Sequence, residues 1–298
     1  METESIRDRV DQITVWKRGG ERAPHKPLLL LYALGRCLRD EPRFVSYDEA
    51  YDDLRQLLEE FGPPRATHHP EYPFWRLEND GLWELAGPKA DRVRERDSDP
   101  SSRYLAEHDI RGGFPEEVHS AVGSDTELAE DIARQLLDEN FPRSIHDDIL
   151  AAVGLEMEGL SSSDRSRDPK FRERVMRAYE YRCGVCGFDL RIRDTLVALE
   201  AAHIKWHQAG GPDSEENGIA LCSLHHKLFD RGALTISLGR KVLVSEQVNG
   251  SVGMDEWLLE HHGATLVGPQ NSRYHPEERF LDWHQEQVFR GPAREASE

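Results

Sequence analysis

Three cysteines and one histidine in the second half of the chain are spaced like metal ligands. Cys183 and Cys186 stand three positions apart in "YRCGVCGFDL", and Cys222 and His225 repeat that spacing in "LCSLHHKLFD". Zinc takes four sulfur or nitrogen ligands in a tetrahedron, and such a pair on a tight turn can bind along one edge of it. Four cysteines in the whole chain are too few for a disulfide scaffold, and no thioredoxin-like strand precedes the C-x-x-C pair. We therefore expect a closed zinc site that stabilises the fold.

The segment between the two ligand pairs carries more histidines and an asparagine. His203 ends a predicted strand, Asn217 follows 14 residues later, and His226 comes nine residues after that. Placed between pairs of zinc ligands, this spacing resembles the HNH nuclease family, whose fold is a ββα-metal finger. The resemblance covers residues 181–232.

The resemblance implies a role for each of these three residues. His203 would be the general base that deprotonates a water molecule, Asn217 would orient the histidine-bearing loop, and His226 would bind a catalytic Mg²⁺ or Mn²⁺. An imidazole titrates near neutral pH and can accept that proton, while a divalent ion neutralises charge that develops on the phosphate. Neighbouring helical residues diverge by about 100°, so His225 can face zinc while His226 faces the catalytic ion.

The second protein ligand of the catalytic ion stays open. Many members of the HNH family have an aspartate just before the first histidine, and this chain has Ala202 there. Glu200 lies on the same strand face as Ala202, and Asp230 is a second candidate. The alternative for Glu200 is a solvated carboxylate at the strand end. His207 has no partner at ligand spacing, so we expect it at the surface or in packing.

The elements of the second half follow from apolar periodicity and turn residues. A basic helix is predicted before Cys183, and a hairpin is predicted to turn near Gly239. The expected elements are a helix over 168–181, strands over 197–204 and 217–221, a helix over 223–230, the hairpin, and helices over 255–262 and 276–289.

The first half is predicted to be mainly helical. Residues 25–40 open with a proline at a first-turn position and then run apolar too continuously for a surface helix, which favours a buried central helix. Capping boxes begin two further helices, one with Ser46 and Glu49 that ends at Gly62, and one with Ser124 and Glu127 that runs to residue 140. A shorter helix follows in "RSIHDDILAAVGL". Alternating apolar and polar residues around "NDG" predict a β-hairpin over 74–87.

Charge is unevenly distributed along the chain. The net charge is -18, and residues 116–160 hold twelve Asp or Glu against two Lys or Arg. Residues 165–182 instead hold seven basic against three acidic residues, so an acidic protein still has one basic stretch. No apolar run is long enough for a membrane span, and the N-terminus is charged where a signal peptide is apolar. We expect a cytoplasmic protein with no membrane partner.

Two clusters in the first half are rich in cations and aromatic residues. They are "GGERAPHKPLLLL" and "ATHHPEYPFWRLENDGLWEL". Together with "LLDENFPRSIHDDILAAVGL", they resemble the sulfur-binding domain of phosphorothioated-DNA-dependent restriction endonucleases, a family that joins this domain to a C-terminal HNH nuclease. The alternative is that the apolar residues only build a hairpin core.

This second resemblance implies recognition of a backbone phosphorothioate. Sulfur is larger and less hydrated than oxygen, so an apolar depression formed by Tyr72 and Pro73 would favour it, while Arg22 and Lys26 would hold the negative group. The other predicted contacts to base edges or phosphates are His25, His68, His69 and Arg76.

The sequence predicts an α+β protein with two domains, cut in the polar segment 158–170. Residues 1–160 are expected to be a mainly helical sulfur-binding domain with a β-hairpin, and residues 161–298 a zinc-containing ββα-metal HNH domain. The predicted function is a type IV restriction endonuclease acting on phosphorothioate-modified duplex DNA. Two alternatives are an HNH endonuclease directed to methylated bases and a non-catalytic reader of modified DNA. Since cutting a duplex takes two nicks, either a homodimer or two bound copies of the chain are also expected.

Overall fold

The computed structural model describes residues 2–13, 21, 23–94, 99–155 and 169–295. The chain divides into two compact units, residues 1–162 and 163–298. The predicted boundary between residues 160 and 161 lies outside the described residues. Within the described ranges, no helix is both long and apolar enough to span a membrane.

The first unit is built mainly of helices. Its helices are α1 Glu2–Asp11, α2 His25–Leu38, α3 Tyr47–Phe61, α4 Glu71–Arg76, α5 Ala90–Arg94, α6 Ser102–Glu107, α7 Glu116–Ser124, α8 Thr126–Asn140 and α9 His146–Ala152. Its strands are β1 Val45–Ser46, β2 Glu84–Ala86 and β3 Arg111–Gly113, which form one antiparallel sheet in the order β1-β3-β2.

Helix α2 is the centre of the first unit, as its continuous apolar sequence predicts. Leu28 to Leu31 and Leu34 are almost completely removed from solvent, and the helix packs against α3, α4, α7 and α8. Each fully buried leucine contributes about 2 kcal/mol of transfer free energy. A surface cleft lined by His25 and Lys26 lies at the N-terminal end of this helix.

The predicted β-hairpin over 74–87 is wrong. Helix α4 continues into a 3₁₀ helix, Leu77–Asp80, and Gly81 ends it in the left-handed conformation with φ of 68°. Phe74 and Leu77 are both fully buried, and their separation of three positions is the spacing of a helix face. Only the second half of the segment is a strand, β2, and it pairs with β3. The "NDG" sequence therefore ends a helix here rather than turning a hairpin.

The two predicted helix caps have different outcomes. The Ser46 side chain accepts a hydrogen bond from the Glu49 backbone N–H at 3.2 Å, which confirms that start of α3. The cap of α8 is Asp125, whose side chain accepts from the Leu128 N–H at 3.0 Å. Ser124 instead ends α7 and donates to the Ser120 carbonyl at 2.7 Å. The predicted cap was wrong by one residue because both residue types accept hydrogen bonds from helix N–H groups.

The second unit has a hairpin followed by a helix at its centre. Strands β6 Leu199–His203 and β7 Gly218–Cys222 pair antiparallel, and α11 Ser223–Asp230 follows directly. These elements confirm the predicted strands and helix to within two residues. Helix α10 Pro169–Ala178 packs against both strands.

The remaining elements surround that centre. They are the short hairpin β4 Arg191–Ile192 with β5 Thr195–Leu196, the hairpin β8 Leu234–Ile236 with β9 Val242–Val244, and helices α12 Met254–Trp257 and α13 Glu278–Gln287. The β8–β9 hairpin matches the one predicted to turn near Gly239. Nothing in the sequence analysis predicted β4 and β5, which have only two residues each.

Candidate functional site

The four predicted zinc ligands come together from two turns. Cys183 and Cys186 lie on a tight loop in which the Cys183 N–H donates to the Phe188 carbonyl at 2.9 Å and the Gly187 N–H donates back to the Cys183 carbonyl at 2.8 Å. Gly187 has φ of 75°, a left-handed conformation that glycine adopts without strain. Cys222 ends β7 and directly precedes α11, so His225 follows in the first turn of that helix.

The ligand atoms of this cluster are close enough to share one ion. All four lie within 4.8 Å of one another, and His225 Nδ1 is 3.1 Å from Cys222 Sγ and 3.7 Å from Cys183 Sγ. Zinc–sulfur and zinc–nitrogen bonds of about 2.3 and 2.0 Å give tetrahedral edges of roughly 3.4–3.8 Å, so the donor set fits zinc. No disulfide joins these cysteines.

The second ring nitrogen of His225 fixes the orientation of the first. His225 is buried, and its Nε2 lies 2.8 Å from the Trp257 carbonyl, to which it can only donate. A proton on Nε2 leaves the Nδ1 lone pair facing the sulfur atoms, which is the arrangement found around metal-ligating histidines. Helix α12 therefore supports the cluster through its backbone.

Electrostatics also favour a cation inside the cluster. Burial by itself lowers the pKa of His225, but the neighbouring sulfur atoms of Cys183 and Cys222 outweigh it and raise that pKa to about 10. Hydrogen bonds with Cys186 and Cys222 hold the pKa of the Cys183 thiol far below its usual value. Without a metal ion, the cluster would thus hold a thiolate beside an imidazolium, and a divalent cation can replace that positive charge.

His203 lies at the end of β6 with its ring held on two sides. The ring stacks on Phe171 of α10, with centroids 4.1 Å apart and an interplanar angle of 17°. Its Nε2 lies 2.7 Å from Asp213 Oδ1. His207 Nδ1 is 3.6 Å from the same carboxylate oxygen, but this side chain is 58% exposed, in agreement with its predicted surface position.

Asn217 closes the loop that begins after His203. It is fully buried; its side-chain amide donates to the carbonyls of Lys205 and Pro212 at 3.0 and 2.9 Å, and its oxygen accepts from the Lys205 N–H at 2.8 Å. These three bonds use both polar ends of the side chain. The asparagine thus joins the start and the end of the loop between β6 and β7.

His226 lies between the two carboxylates that were candidate ligands beside it. Its Nδ1 is 2.6 Å from Glu200 Oε2 and its Nε2 is 3.1 Å from Asp230 Oδ2. Burial lowers the pKa of His226, but the charges of Asp230 and Glu200 outweigh it and raise that pKa to about 9. An imidazole with a carboxylate is a donor pair that suits Mn²⁺ or Mg²⁺, and a bound ion would displace a ring proton. Because Glu200 and Asp230 contact opposite ring nitrogens, only one of them could share an ion with His226.

The cleft of the first unit collects most of the predicted DNA contacts. It has a volume of about 820 Å³. Of the eight residues predicted to bind sulfur or DNA, six line it: His25, Lys26, His69, Tyr72, Pro73 and Arg76. Arg22 lies outside the described residues, and His68 is not part of the lining. The lining also includes Arg65, Thr67, Trp75 and Asp80, which are not among the predicted contacts.

Tyr72 forms the exposed aromatic part of this cleft. Its ring stacks on His69, with centroids 4.8 Å apart and planes 16° apart, and the Arg76 guanidinium lies 4.8 Å from its centroid. Pro73 beside it is buried. A phenol ring in contact with an imidazole and a guanidinium gives an apolar surface with cationic or hydrogen-bonding groups around it.

The charged groups of the cleft are partly paired. Lys26 Nζ lies 2.6 Å from Asp80 Oδ2, and both side chains are largely buried. Arg76 forms an ion pair with Asp99. Burial, followed by the charges of His68, His69 and Arg65, lowers the pKa of His25 to about 4, so His25 is neutral at pH 7. Asp80 falls within the "NDG" sequence, which is typical of a turn, so nothing in the sequence pattern predicts its pairing with Lys26.

Comparison with protein-family models matches two segments of the chain. Residues 3–158 match the ScoMcrA-like DNA sulfur-binding domain, and residues 183–237 match an HNH endonuclease. The first match covers more than half of the chain, and the second contains all four cluster ligands together with His203, Asn217 and His226.

Several solved structures are similar to this chain. The sulfur binding domain of ScoMcrA complexed with phosphorothioated DNA is 26% identical over 50% of this chain and 94% of its own, with a TM-score of 0.42. The corresponding domain of SprMcrA with phosphorothioated DNA is 24% identical over 51% and 94%, with a TM-score of 0.44. The type IV phosphorothioation-dependent restriction endonuclease ScoMcrA is 25% identical over 49% and 28%, with a TM-score of 0.41. No curated protein matches significantly.

Proposed function

We propose that this chain, which belongs to the ScoMcrA-like DNA sulfur-binding domain family, is a type IV restriction endonuclease that recognises phosphorothioate-modified duplex DNA and hydrolyses phosphodiester bonds nearby. The HNH domain over residues 183–237 makes the chain a DNA endonuclease. One observation carries the proposal: a sulfur-binding domain and an HNH endonuclease domain occur in a single chain. The first would supply the selectivity that the second needs.

In this proposal, the cleft at the start of α2 receives the modified phosphate. Sulfur is less strongly hydrated than oxygen, so contact with the apolar surface of Tyr72 and Pro73 costs less desolvation for a phosphorothioate than for a phosphate. The group is still an anion, and Lys26 and Arg76 line the same cleft. Each already has a carboxylate partner, but an ammonium has three donors and a guanidinium five, so both keep donors for the DNA.

The other recognition residues would read the surrounding DNA. His25 and His69 line the cleft and can donate or accept hydrogen bonds at base edges or phosphates. Arg22 and His68 are assigned to this surface by family resemblance.

We assign the cleavage chemistry to three residues of the second unit. The imidazole of His203 accepts the proton of the attacking water, and Asn217 holds the loop after β6 so that this ring stays in place. His226 would hold a Mg²⁺ or Mn²⁺ ion, with either Glu200 or Asp230 as the second protein ligand. Such an ion would neutralise charge on the phosphate and on the leaving oxygen.

The Cys183, Cys186, Cys222 and His225 cluster would hold a structural zinc ion. Its four protein ligands leave no open position for substrate, so the ion would stabilise the β6–β7 hairpin and α11 rather than act on DNA. The ligand distances and the hydrogen bond from His225 to Trp257 support this assignment.

A duplex break requires two hydrolysis events, and the chain has one matched HNH domain. We therefore propose that two copies act on one site. Sedimentation analysis with the modified duplex should show two chains per DNA, whereas a single chain per DNA throughout cleavage would contradict this point.

The central experiment compares the wild type with His203→Ala. We expect the variant to bind a phosphorothioate duplex with the wild-type affinity and to keep one zinc per chain, but to lose cleavage by about 10²–10⁴-fold. Wild-type cleavage by the variant would contradict the assignment of His203. Loss of binding and zinc together would instead show that the substitution had unfolded the protein.

A further inference from the structure

We propose that Asp213 is a positioning residue of the cleavage site: its carboxylate accepts a hydrogen bond from His203 Nε2–H and thereby assigns Nδ1 to take the proton from the attacking water. This inference rests on the proposed role of His203 as general base. No sequence pattern pointed to Asp213, which lies in the loop "GGPDSEEN" between His203 and Asn217.

The geometry fixes the imidazole of His203 in two directions. The hydrogen bond to Asp213 Oδ1 is 2.7 Å long and lies at the Nε2 edge of the ring. The Phe171 ring covers one face at 4.1 Å and restricts tilting of the plane. Only 11% of the His203 side chain is exposed, so few other ring orientations are accessible.

The loop that carries Asp213 is held at several points. Asn217 donates to the carbonyl of Pro212, the residue just before Asp213, at 2.9 Å. Arg174 of α10 donates to the Asp213 carbonyl at 2.6 Å. Gly211 passes so close to the backbone that an added Cβ would lie 1.9 Å from the Lys205 carbonyl oxygen. Asp213 is therefore placed by backbone contacts and not only by its own side chain.

The chemistry follows from the tautomer that a carboxylate selects. A neutral imidazole has one N–H, and a carboxylate only accepts, so a bond to Nε2 places the proton there and the lone pair on Nδ1. The water proton then moves to Nδ1, the water oxygen forms the new bond to phosphorus, and the leaving oxygen departs with its bonding electron pair. The Asp213 carboxylate stabilises the imidazolium that this step creates.

The alternative role for His203 and Asp213 is to bind a cation together with His207. The ligand atoms of His203, His207 and Asp213 all lie within 4.8 Å of one another, which is close enough for one divalent ion. The direct contact of 2.7 Å between His203 and Asp213 is a hydrogen bond, whereas His207 is farther away and mostly exposed. These distances favour a pair over a three-ligand site, and His207→Ala separates the two possibilities.

The test uses the full chain with Asp213→Asn, which keeps the shape and removes the charge, and His207→Ala as the matched control. We expect Asp213→Asn to lower the single-turnover cleavage rate of a phosphorothioate duplex by about 10²–10⁴-fold, with unchanged DNA affinity and zinc content. His207→Ala should cut within about twofold of the wild type. Long-range ¹H–¹⁵N spectra of the wild-type histidine side chains should show His203 as the Nε2–H tautomer, a signature that a merely structural role does not require.

Three results would overturn the inference. The first is wild-type cleavage by Asp213→Asn, and the second is an Nδ1–H tautomer of His203 in the wild type. The third is an equal loss of activity in His207→Ala together with weaker Mn²⁺ binding in both variants, which would identify a cation site. If Asp213→Asn fails to fold, the tautomer of the wild type decides. Wild-type cleavage by His203→Ala would instead refute the proposed nuclease assignment itself, so the two failures are distinguishable.

Discussion

His25 gives a prediction whose size follows from its surroundings. Burial in the cleft and the nearby charges of His68, His69 and Arg65 lower its pKa from 6.5 to about 4, and Glu71 offsets this only in part. A pKa shift of one unit corresponds to about 1.4 kcal/mol, so the full effect is about 3 kcal/mol. Since the folded state holds its proton less tightly than the unfolded state, stability is highest above pH 6.5 and falls as the pH drops toward 4.

The expected loss can be stated for a practical pH range. Between pH 7 and pH 5, a histidine with these two pKa values destabilises the folded state by about 2 kcal/mol. His25→Gln removes the titrating group. Between pH 7 and pH 5, the free energy of unfolding of this variant should therefore fall by about 2 kcal/mol less than that of the wild type. Urea unfolding of both proteins, followed by a signal from the first unit, measures this difference.

If His25 contacts DNA as proposed, its low pKa means that it would do so as a neutral group. An NMR titration of its ring reports the pKa directly, and a value near 4 is expected. A measured pKa of 6 or above, or a pH dependence of stability that is unchanged in His25→Gln, would refute the reasoning. A pKa of 6 or above would make His25 partly charged in mildly acidic solution, where it would act as an additional phosphate-binding cation.

Three further predictions concern the metal sites and the sulfur cleft. Cys222→Ala should lose the zinc ion and unfold the second unit, because structural zinc contributes about 10–16 kcal/mol in small zinc domains. The control Cys37→Ala should keep one zinc per chain by elemental analysis. Full zinc content in Cys222→Ala would contradict the assignment of the cluster as a zinc site. Asp230→Asn should raise the Mn²⁺ concentration needed for half-maximal cleavage by about 10–100-fold, and an unchanged Mn²⁺ requirement would remove Asp230 from the site. Tyr72→Ala should reduce the preference for the sulfur-bearing duplex by on the order of tenfold in competitive binding. The control Tyr104→Ala, which lies outside the cleft, should keep the wild-type preference. If Tyr72→Ala keeps the same preference as Tyr104→Ala, Tyr72 does not contact the sulfur.

Local spacing explains which parts of the site could be predicted from the sequence. One hairpin and the helix after it position Cys222, His225, His203, Asn217 and His226, and a tight turn positions Cys183 and Cys186. The geometry of each of these short segments is encoded in neighbouring residues. Asp213 and Asp80 were missed because their contacts depend on how loops close over residues elsewhere in the chain. A short sequence motif does not predict such loop contacts.

The errors in the fold have a similar physical origin. The 74–87 segment alternates apolar and polar residues, but Phe74 and Leu77 also have helical spacing, and packing against the core decides between the two. Likewise, Ser124 and Asp125 are both good N-cap residues, so sequence alone does not choose between them. The long apolar run of α2 left no such ambiguity, and its burial was predicted correctly.

Cleavage of two duplexes that differ by a single phosphorothioate, each with and without Mn²⁺ or Mg²⁺, tests the proposed function most directly. We expect that only the sulfur-bearing duplex is cut, and only when the ion is present. Equal cutting of both duplexes would contradict sulfur recognition by the first unit. Binding of the modified duplex with no cutting under either ion would contradict the nuclease and leave a non-catalytic reader of modified DNA.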